Sequence, residues 1–349
     1  MRGTPALRWV EGTTYHSPLI PLTPPATATQ GTPVVSVIVA AYRVTEYIRE
    51  ALESVLAQTF RDYEIIVVND GCPDTSNLER VLEPYRGRIV YLNQENAGPS
   101  SARNAGIRVA RGSLLAVLDP DDVWESNYLE VQVRIMREDA TIDVLSPDAI
   151  YFGDSPLAGR SFMEVCPSEG EVTFTKLLRG ECSLFYSVTA RREAIVRAGL
   201  YDPALRTSED FDLWLRILKQ GGRIAYNRKP LLKYRVRQGS LTSDSVWLHQ
   251  NVLKVFEKVG RTMDLTPEER RTLDQATQSR RAWLELELGK RALSGGDSEA
   301  ARIHVDRANR HFHKRKLSLV AGLLRYAPWL LRMASRMRGG CWISPPRRG

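Results

Sequence analysis

Histidine is scarce in this chain and badly placed for catalysis. The 349 residues hold five, at His16, His249, His304, His311 and His313, so none falls between residues 17 and 248. That stretch cannot run a Ser-His-Asp or Cys-His mechanism, nor hold a histidine-ligated zinc. Proton transfer there falls to carboxylates. Cysteine is scarce too. Cys72, Cys166, Cys182 and Cys341 are scattered, with no Cys-x-x-Cys pair, which reads as free thiols in a reducing compartment rather than a disulfide framework. No apolar run reaches the roughly 18–20 residues of a membrane span. Arg2 and Arg8 precede no apolar stretch, so no secretory leader is expected and the cytoplasm is the expected compartment.

An even spread of charge is also missing. Of 49 Lys and Arg against 41 Asp and Glu, 12 basic residues and one acid lie from Arg302 onward, which leaves 37 and 40 for the rest. The main body is therefore near neutral, and affinity for polyanions belongs to the tail. The body has no basic groove interleaved with aromatics, so nucleic acid is not an expected partner.

What is present begins at Pro33. Residues 1–32 are rich in Pro, Thr and Gly and read as a disordered arm. Val34 to Ala40 is a β-branched strand, and Ile48, Leu52, Val55 and Leu56 recur with the period of a helix face. Tyr63 to Val68 and Arg88 to Leu92 read as further strands, and Asn96 to Gly106 as a loop opening a helix that runs to about Ala110. Leu114 to Leu118 is an unbroken apolar run, the pattern of a strand buried on both faces. Strands alternating with helices predict an α/β fold: a mostly parallel, doubly wound sheet with helices on both faces. Ligands in such sheets bind beyond the carboxyl ends of the strands.

Three of these strands end in groups with chemistry to offer. After Leu118 come Asp119, Pro120, Asp121 and Asp122. Pro120 cannot donate to a ladder, so pairing stops there. Three crowded acids call for a cation, and Mg²⁺ or Mn²⁺ prefers carboxylate oxygen. A second reading stays open, in which Asp121 or Asp122 caps a helix starting near Ser126. Tyr42 offers a ring face on which a base can stack. Asp70 can accept from a pyrimidine N–H, and Arg103 can neutralise phosphate.

Taken in order, these segments resemble the family 2 glycosyltransferases of GT-A (Rossmann-like) fold. The residues that carry the resemblance are Val35–Val39 through Tyr42, Ser54–Phe60, Glu64–Gly71, Gly98 with Ala102–Asn104, Leu118–Asp122, and Ser208–Trp214, reaching about Ser243. The resemblance implies an inverting transfer from a nucleotide-diphosphate sugar, by default a UDP-sugar, to a glycan or lipid-linked acceptor in polysaccharide synthesis. Tyr42, Asp70, Arg103 and Asp119 would then bind the nucleotide. Asp121 would hold Mg²⁺ or Mn²⁺, Asp210 would be the catalytic base, and Glu209 and Trp214 would support it.

Three positions depart from the family pattern. Arg43 stands where Asn is usual, and Gly71-Cys72-Pro73-Asp74 replaces the usual Gly-Ser-Thr/Ser-Asp turn. Arg237 stands where a histidine contacts diphosphate or metal; with Arg235 it can neutralise diphosphate, but it cannot ligate a cation. Rival readings are a haloacid-dehalogenase-like phosphatase built on Asp119 and Asp121, and a non-catalytic scaffold with a degenerate transferase domain.

The transferase domain is expected over residues 33–244. Residues 144–200 would carry acceptor recognition, with a strand at Phe185 to Val188. A helical cap or hairpin over 245–315 would follow, with a long helix from Pro267 to Leu293 and Ala301, Val305 and Ala308 on one face of its partner. Residues 316–349 read as a basic amphipathic tail kinked at Pro328. It suits either an anionic membrane interface, placing the chain on the inner face of the cell membrane, or a docking site on protein.

Overall fold

A computed structural model of the chain describes residues 31–237 and 244–331. The arm expected over 1–32 lies almost wholly outside them, as do Cys341 and the tail beyond Leu331. The chain forms two compact units, residues 1–240 and 241–349.

In the first unit, β1 (Val35–Ala41), α1 (Ile48–Leu56), β2 (Tyr63–Asp70), α2 (Thr75–Leu82), β3 (Val90–Gln94), α3 (Pro99–Val109) and β4 (Leu114–Val117) follow the expected alternation. β1 is buried along almost its whole length, and α1 lays Ile48, Leu52 and Val55 on it with no exposed surface. Each such side chain contributes about 1.5–3 kcal/mol of burial. Gly106 lets α3 close on the sheet, because a β-carbon there would lie 2.8 Å from Ile38 Cγ2.

The second half of the unit comprises β5 (Val123–Trp124), α4 (Tyr128–Glu138), β6 (Ile142–Gly153), α5 (Phe162–Val165), α6 (Phe174–Arg179), β7 (Thr189–Arg191), α7 (Arg192–Arg197), α8 (Glu209–Lys219) and β8 (Arg223–Val236). The eight strands run in the order β3-β2-β1-β4-β7-β6-β8-β5. The β3-β2-β1-β4 half is parallel. Beyond it β7 is antiparallel to β4 and β6, β8 is parallel to β6, and β5 is antiparallel to β8. Parallel pairing therefore dominates one half of a mixed sheet.

Two local expectations are corrected. The strand expected at Phe185 to Val188 begins only at Thr189, because Phe185 and Ser187 turn their backbone groups to side chains: Ser146 Oγ accepts from Phe185 N at 2.8 Å, and Tyr128 Oη donates to Ser187 O at 3.1 Å. The helix after the acid run starts at Tyr128 with Asn127 before it, so neither Asp121 nor Asp122 caps it.

The second unit contains α9 (Ser245–Thr262), α10 (Pro267–Ser294), α11 (Ser298–Phe312) and α12 (Arg315–Tyr326). Thr266 and Glu269 form a capping box at the start of α10, and the Asp297 side chain accepts from Ala300 N at 2.8 Å to start α11. Ala301, Val305 and Ala308 are buried with Leu286, Leu317, Ala321, Leu324 and Leu331. Helical backbone breaks at Ala327, just before Pro328, and resumes through Leu331.

Candidate active site

Strand register gathers the site. Ala41 lies opposite Asn69, Asp70 opposite Gln94, and Ile38 opposite Val117. Tyr42, Asp70 and Asp119 therefore emerge along one edge of the parallel half.

Asp70 is 3 % exposed and already well supplied with donors. Its Oδ1 accepts from Gln94 Nε2 at 2.6 Å and Ala97 N at 2.9 Å, and its Oδ2 accepts from Gly98 N at 2.9 Å. Three of about four acceptor directions are taken, so one remains for a ligand. Burial raises its pKa, against the pull of those donors. Next to it Gly71 has φ of +64°, and a β-carbon there would lie 2.6 Å from Asn96 N. This turn therefore needs glycine. Tyr42 is 38 % exposed, with the Arg43 guanidinium over its ring at 5.3 Å from the centre.

The three acids after β4 have three different fates. Asp122 is fully buried; its Oδ2 accepts from Tyr186 Oη at 2.6 Å and its Oδ1 from Arg235 N at 2.9 Å. Burial and the two neighbouring aspartates push its pKa well up. It ties the acid loop to β8 and the segment before β7. Asp119 Oδ1 accepts from Arg103 Nη2 at 3.0 Å, and burial raises its pKa against the guanidinium. Asp121 Oδ2 accepts from Arg237 Nε at 2.6 Å, and Asp121 O from Arg235 Nε at 2.8 Å.

Arg103 is the central cation. It is 7 % exposed and joins Asp119 to Glu209, the first residue of α8. Its ring neighbour is Tyr201, at 5.5 Å. The sequence offered Arg103 to phosphate or to the base; in the structure it joins two carboxylates and so aligns the acid loop with α8. Ser208, just before α8, has φ of +59°, a left-handed backbone that a non-glycine residue adopts at some cost.

That turn sets up Asp210. Its Oδ1 accepts from Phe211 N at 2.7 Å. Burial, then the Glu209 charge, pushes its pKa up to about 6, and the charges of Arg103 and Asp119 also reach it. Trp214 is 1 % exposed and anchors α8 in the core. Asp212 is buried and paired with Arg216 Nη2 at 2.7 Å.

Arg235 and Arg237 reach this loop from the end of β8. Arg235 also pairs with Glu50 and stacks 4.4 Å from the Phe152 ring centre, so it braces the loop. Arg237 lies 5.4 Å from the Tyr47 ring centre. Gln94, Glu50 and Tyr47 join the site without having been singled out in the sequence; Gln94 alone carried a signal, as a polar residue closing β3 before the loop. Tyr186 lay in the segment expected to carry acceptor recognition and Asn96 in the loop expected before α3, and the fold gives them Asp122 and the Asp70 backbone carbonyl as partners.

Known proteins share both the sequence pattern and the fold. A family model described as glycosyl transferase family 2 matches residues 36–193. An uncharacterized glycosyltransferase of Rickettsia prowazekii is 31% identical over 249 residues, 68% of this chain and 74% of the relative. The UDP-Glc:alpha-D-GlcNAc-diphosphoundecaprenol beta-1,3-glucosyltransferase WfgD of Escherichia coli is 30% identical over 213 residues, 60% of this chain and 80% of that protein. Other curated relatives are longer, and the chain spans 35% of their length. The mannosyltransferase PcManGT of Pyrobaculum calidifontis, solved with GDP-Man and Mn²⁺, superposes with a TM-score of 0.58 at 18% identity, over 88% of each chain. An acid-tipped parallel half-sheet, a helix opening on Glu209 and Asp210, and these likenesses in sequence and fold converge: the chain belongs to the family 2 glycosyltransferases.

Proposed function

We propose that the chain is an inverting enzyme that moves a sugar from a nucleotide-diphosphate sugar to an acceptor hydroxyl, in glycan or polysaccharide synthesis. The observation that carries this reading is Asp210. With a pKa pushed up to about 6, it is a better base than an ordinary aspartate and still ionised at neutral pH. It takes the acceptor's proton as the hydroxyl oxygen bonds to the anomeric carbon. The bond to the diphosphate oxygen breaks in the same displacement, and the leaving group keeps the electron pair. Glu209 is held by Arg103, which leaves Asp210 as the working acid of the pair.

The donor's base stacks on Tyr42 and meets the remaining acceptor of Asp70, while Asp119 faces the ribose. Arg237 carries a fork of donors suited to diphosphate oxygens. The UDP-Glc donor and diphosphoundecaprenol acceptor in the name of WfgD favour a UDP-sugar and a lipid-linked acceptor here.

Mg²⁺ or Mn²⁺ fits the donor set. Asp121 offers hard carboxylate oxygen with Asp119 beside it, and these two would hold the ion together with ligand and solvent oxygens. No cluster of three His, Cys, Asp or Glu side chains suited to a cation occurs among the described residues; Asp121 and Asp119 are the carboxylates that would hold the ion. When bound, the ion stabilises charge on the departing diphosphate. Mn²⁺ in the PcManGT complex supports this choice. A phosphatase reading would make Asp119 a nucleophile, but the family model and the relatives are those of glycosyltransferases. A scaffold reading leaves the raised pKa of Asp210 without a use.

Thermal unfolding with UDP, GDP, CDP and ADP, each with and without Mn²⁺, tests the reading. One nucleoside diphosphate should raise Tm, and Mn²⁺ should enlarge the rise. No shift with any of the four overturns it.

A further inference from the structure

Helix α12 carries apolar side chains on two opposite faces. Leu317, Ala321 and Leu324, at i, i+4 and i+7, are buried in the core of the helical unit with Leu286, Val305 and Leu331. That face is already covered. Leu319, Leu323 and Tyr326 repeat the same spacing about half a turn away and are 69 %, 38 % and 79 % exposed. Trp329, 63 % exposed, and Leu330, 37 % exposed, extend the stripe past the break at Ala327. Single exposed leucines are ordinary, but a continuous apolar stripe marks an interaction surface.

Charge identifies what the surface meets. Lys314, Arg315, Lys316 and Arg325 are exposed on the same helix or at its start, and no acid follows Asp306 in the sequence. We propose that this second face of α12 docks on an anionic lipid bilayer. The apolar stripe enters the acyl boundary, Tyr326 and Trp329 sit at headgroup depth, and the cations meet lipid phosphate. A second copy of the chain would set like charges against each other. Nucleic acid would satisfy the cations and leave the leucines in water. Twelve helical residues reach only about 18 Å, and no described helix is long and apolar enough to cross a membrane, so α12 lies on the bilayer.

The experiment is co-sedimentation of the full chain with vesicles of phosphatidylcholine alone and with about a quarter phosphatidylglycerol. The wild type should pellet with the anionic vesicles at least about tenfold better than with the neutral ones, and less well in roughly 0.5 M salt. Leu319→Ser, Leu323→Ser and Tyr326→Ser together should abolish pelleting while the chain stays folded, since Leu319 and Tyr326 are mostly exposed and Leu323 lies outside the buried cluster. Lys314→Glu, Arg315→Glu and Lys316→Glu together should do the same. Equal pelleting of wild type and the serine variant overturns the proposal and moves any membrane contact to residues beyond Leu331. A wild type that ignores vesicles but forms a dimer, lost in the serine variant, overturns it in favour of a second copy. The inference stands apart from transfer chemistry, because an inactive chain that binds vesicles leaves it intact.

Discussion

The two halves of the catalytic sheet meet the acid loop in different ways. The parallel half delivers Tyr42, Asp70 and Asp119 from three strand ends, each a few residues past its own apolar run. The mixed half delivers Arg235 and Arg237 from the end of β8, 114 and 116 residues from the Asp121 they hold. One half brings an exposed ring and two carboxylates from its strand ends. The other brings two guanidiniums that brace the loop. Arg103 links the loop to the third partner, α8, through Asp119 and Glu209. Breaking one contribution at a time should give different failures.

The largest effect is expected at Asp210, which belongs to neither half. Asp210→Asn should lower kcat by about 10²–10⁴-fold, with nucleoside diphosphate affinity by calorimetry nearly unchanged. A variant that turns over like the wild type would move the base elsewhere. In the wild type, kcat/KM should fall below an inflection near pH 6, because only ionised Asp210 accepts a proton. Stability should run the opposite way. The folded pKa of about 6 lies above the ordinary 3.8, so the stabilisation by the neutral form is complete below about pH 3.8 and is lost as pH rises through 6. Asparagine cannot ionise, so the variant's advantage in Tm should grow between pH 4 and pH 7.5. A constant difference would mean that Asp210 is not raised.

Arg103 comes next. Arg103→Leu leaves Asp119 and Glu209 close together without their cation. It should cost about 3–5 kcal/mol of stability, the range for breaking a buried ion pair from one side, and urea unfolding would measure it. Arg103→Lys should recover less than half, because an ammonium cannot fork between two carboxylates. If leucine is tolerated, the alignment of loop and α8 rests on other contacts.

The parallel half was legible because its signals are local. Continuous apolar runs give β1, β2 and β4, and a period of 3.6 gives α1. The groups at strand ends follow from the alternation itself. The mixed half resisted because β8 is polar over much of its length and pairs with β6, about 80 residues away. Asp122 looked like its neighbours in sequence. Only the fold shows that it is fully buried and spent on Tyr186 and Arg235, while the Asp121 carboxylate meets the Arg237 guanidinium. Arg103 was found as a cation, but its second carboxylate, Glu209, lies 106 residues on, beyond any local pattern. In α12 the sequence announced a basic amphipathic helix without dividing its apolar residues between faces; burial of Leu317, Ala321 and Leu324 shows which of them face the core.

The sharpest test of the two halves uses the smallest effect. Tyr42 and Arg237 should each contribute about tenfold to nucleoside diphosphate binding, one by stacking and one by a charged hydrogen bond. The ligands that reveal the loss should differ. Tyr42→Ala should weaken UDP and leave inorganic pyrophosphate unaffected, since pyrophosphate has no base to stack. Arg237→Ala should weaken both alike. Arg237→His adds a metal-ligating nitrogen beside Asp121 and removes its guanidinium partner, so Mn²⁺ affinity without nucleotide should rise by several-fold in calorimetry. If Tyr42→Ala weakens pyrophosphate as much as UDP, the parallel half touches phosphate. If Arg237→Ala weakens neither ligand, Arg237 serves only to hold Asp121, and phosphate neutralisation would have to come from a bound cation alone.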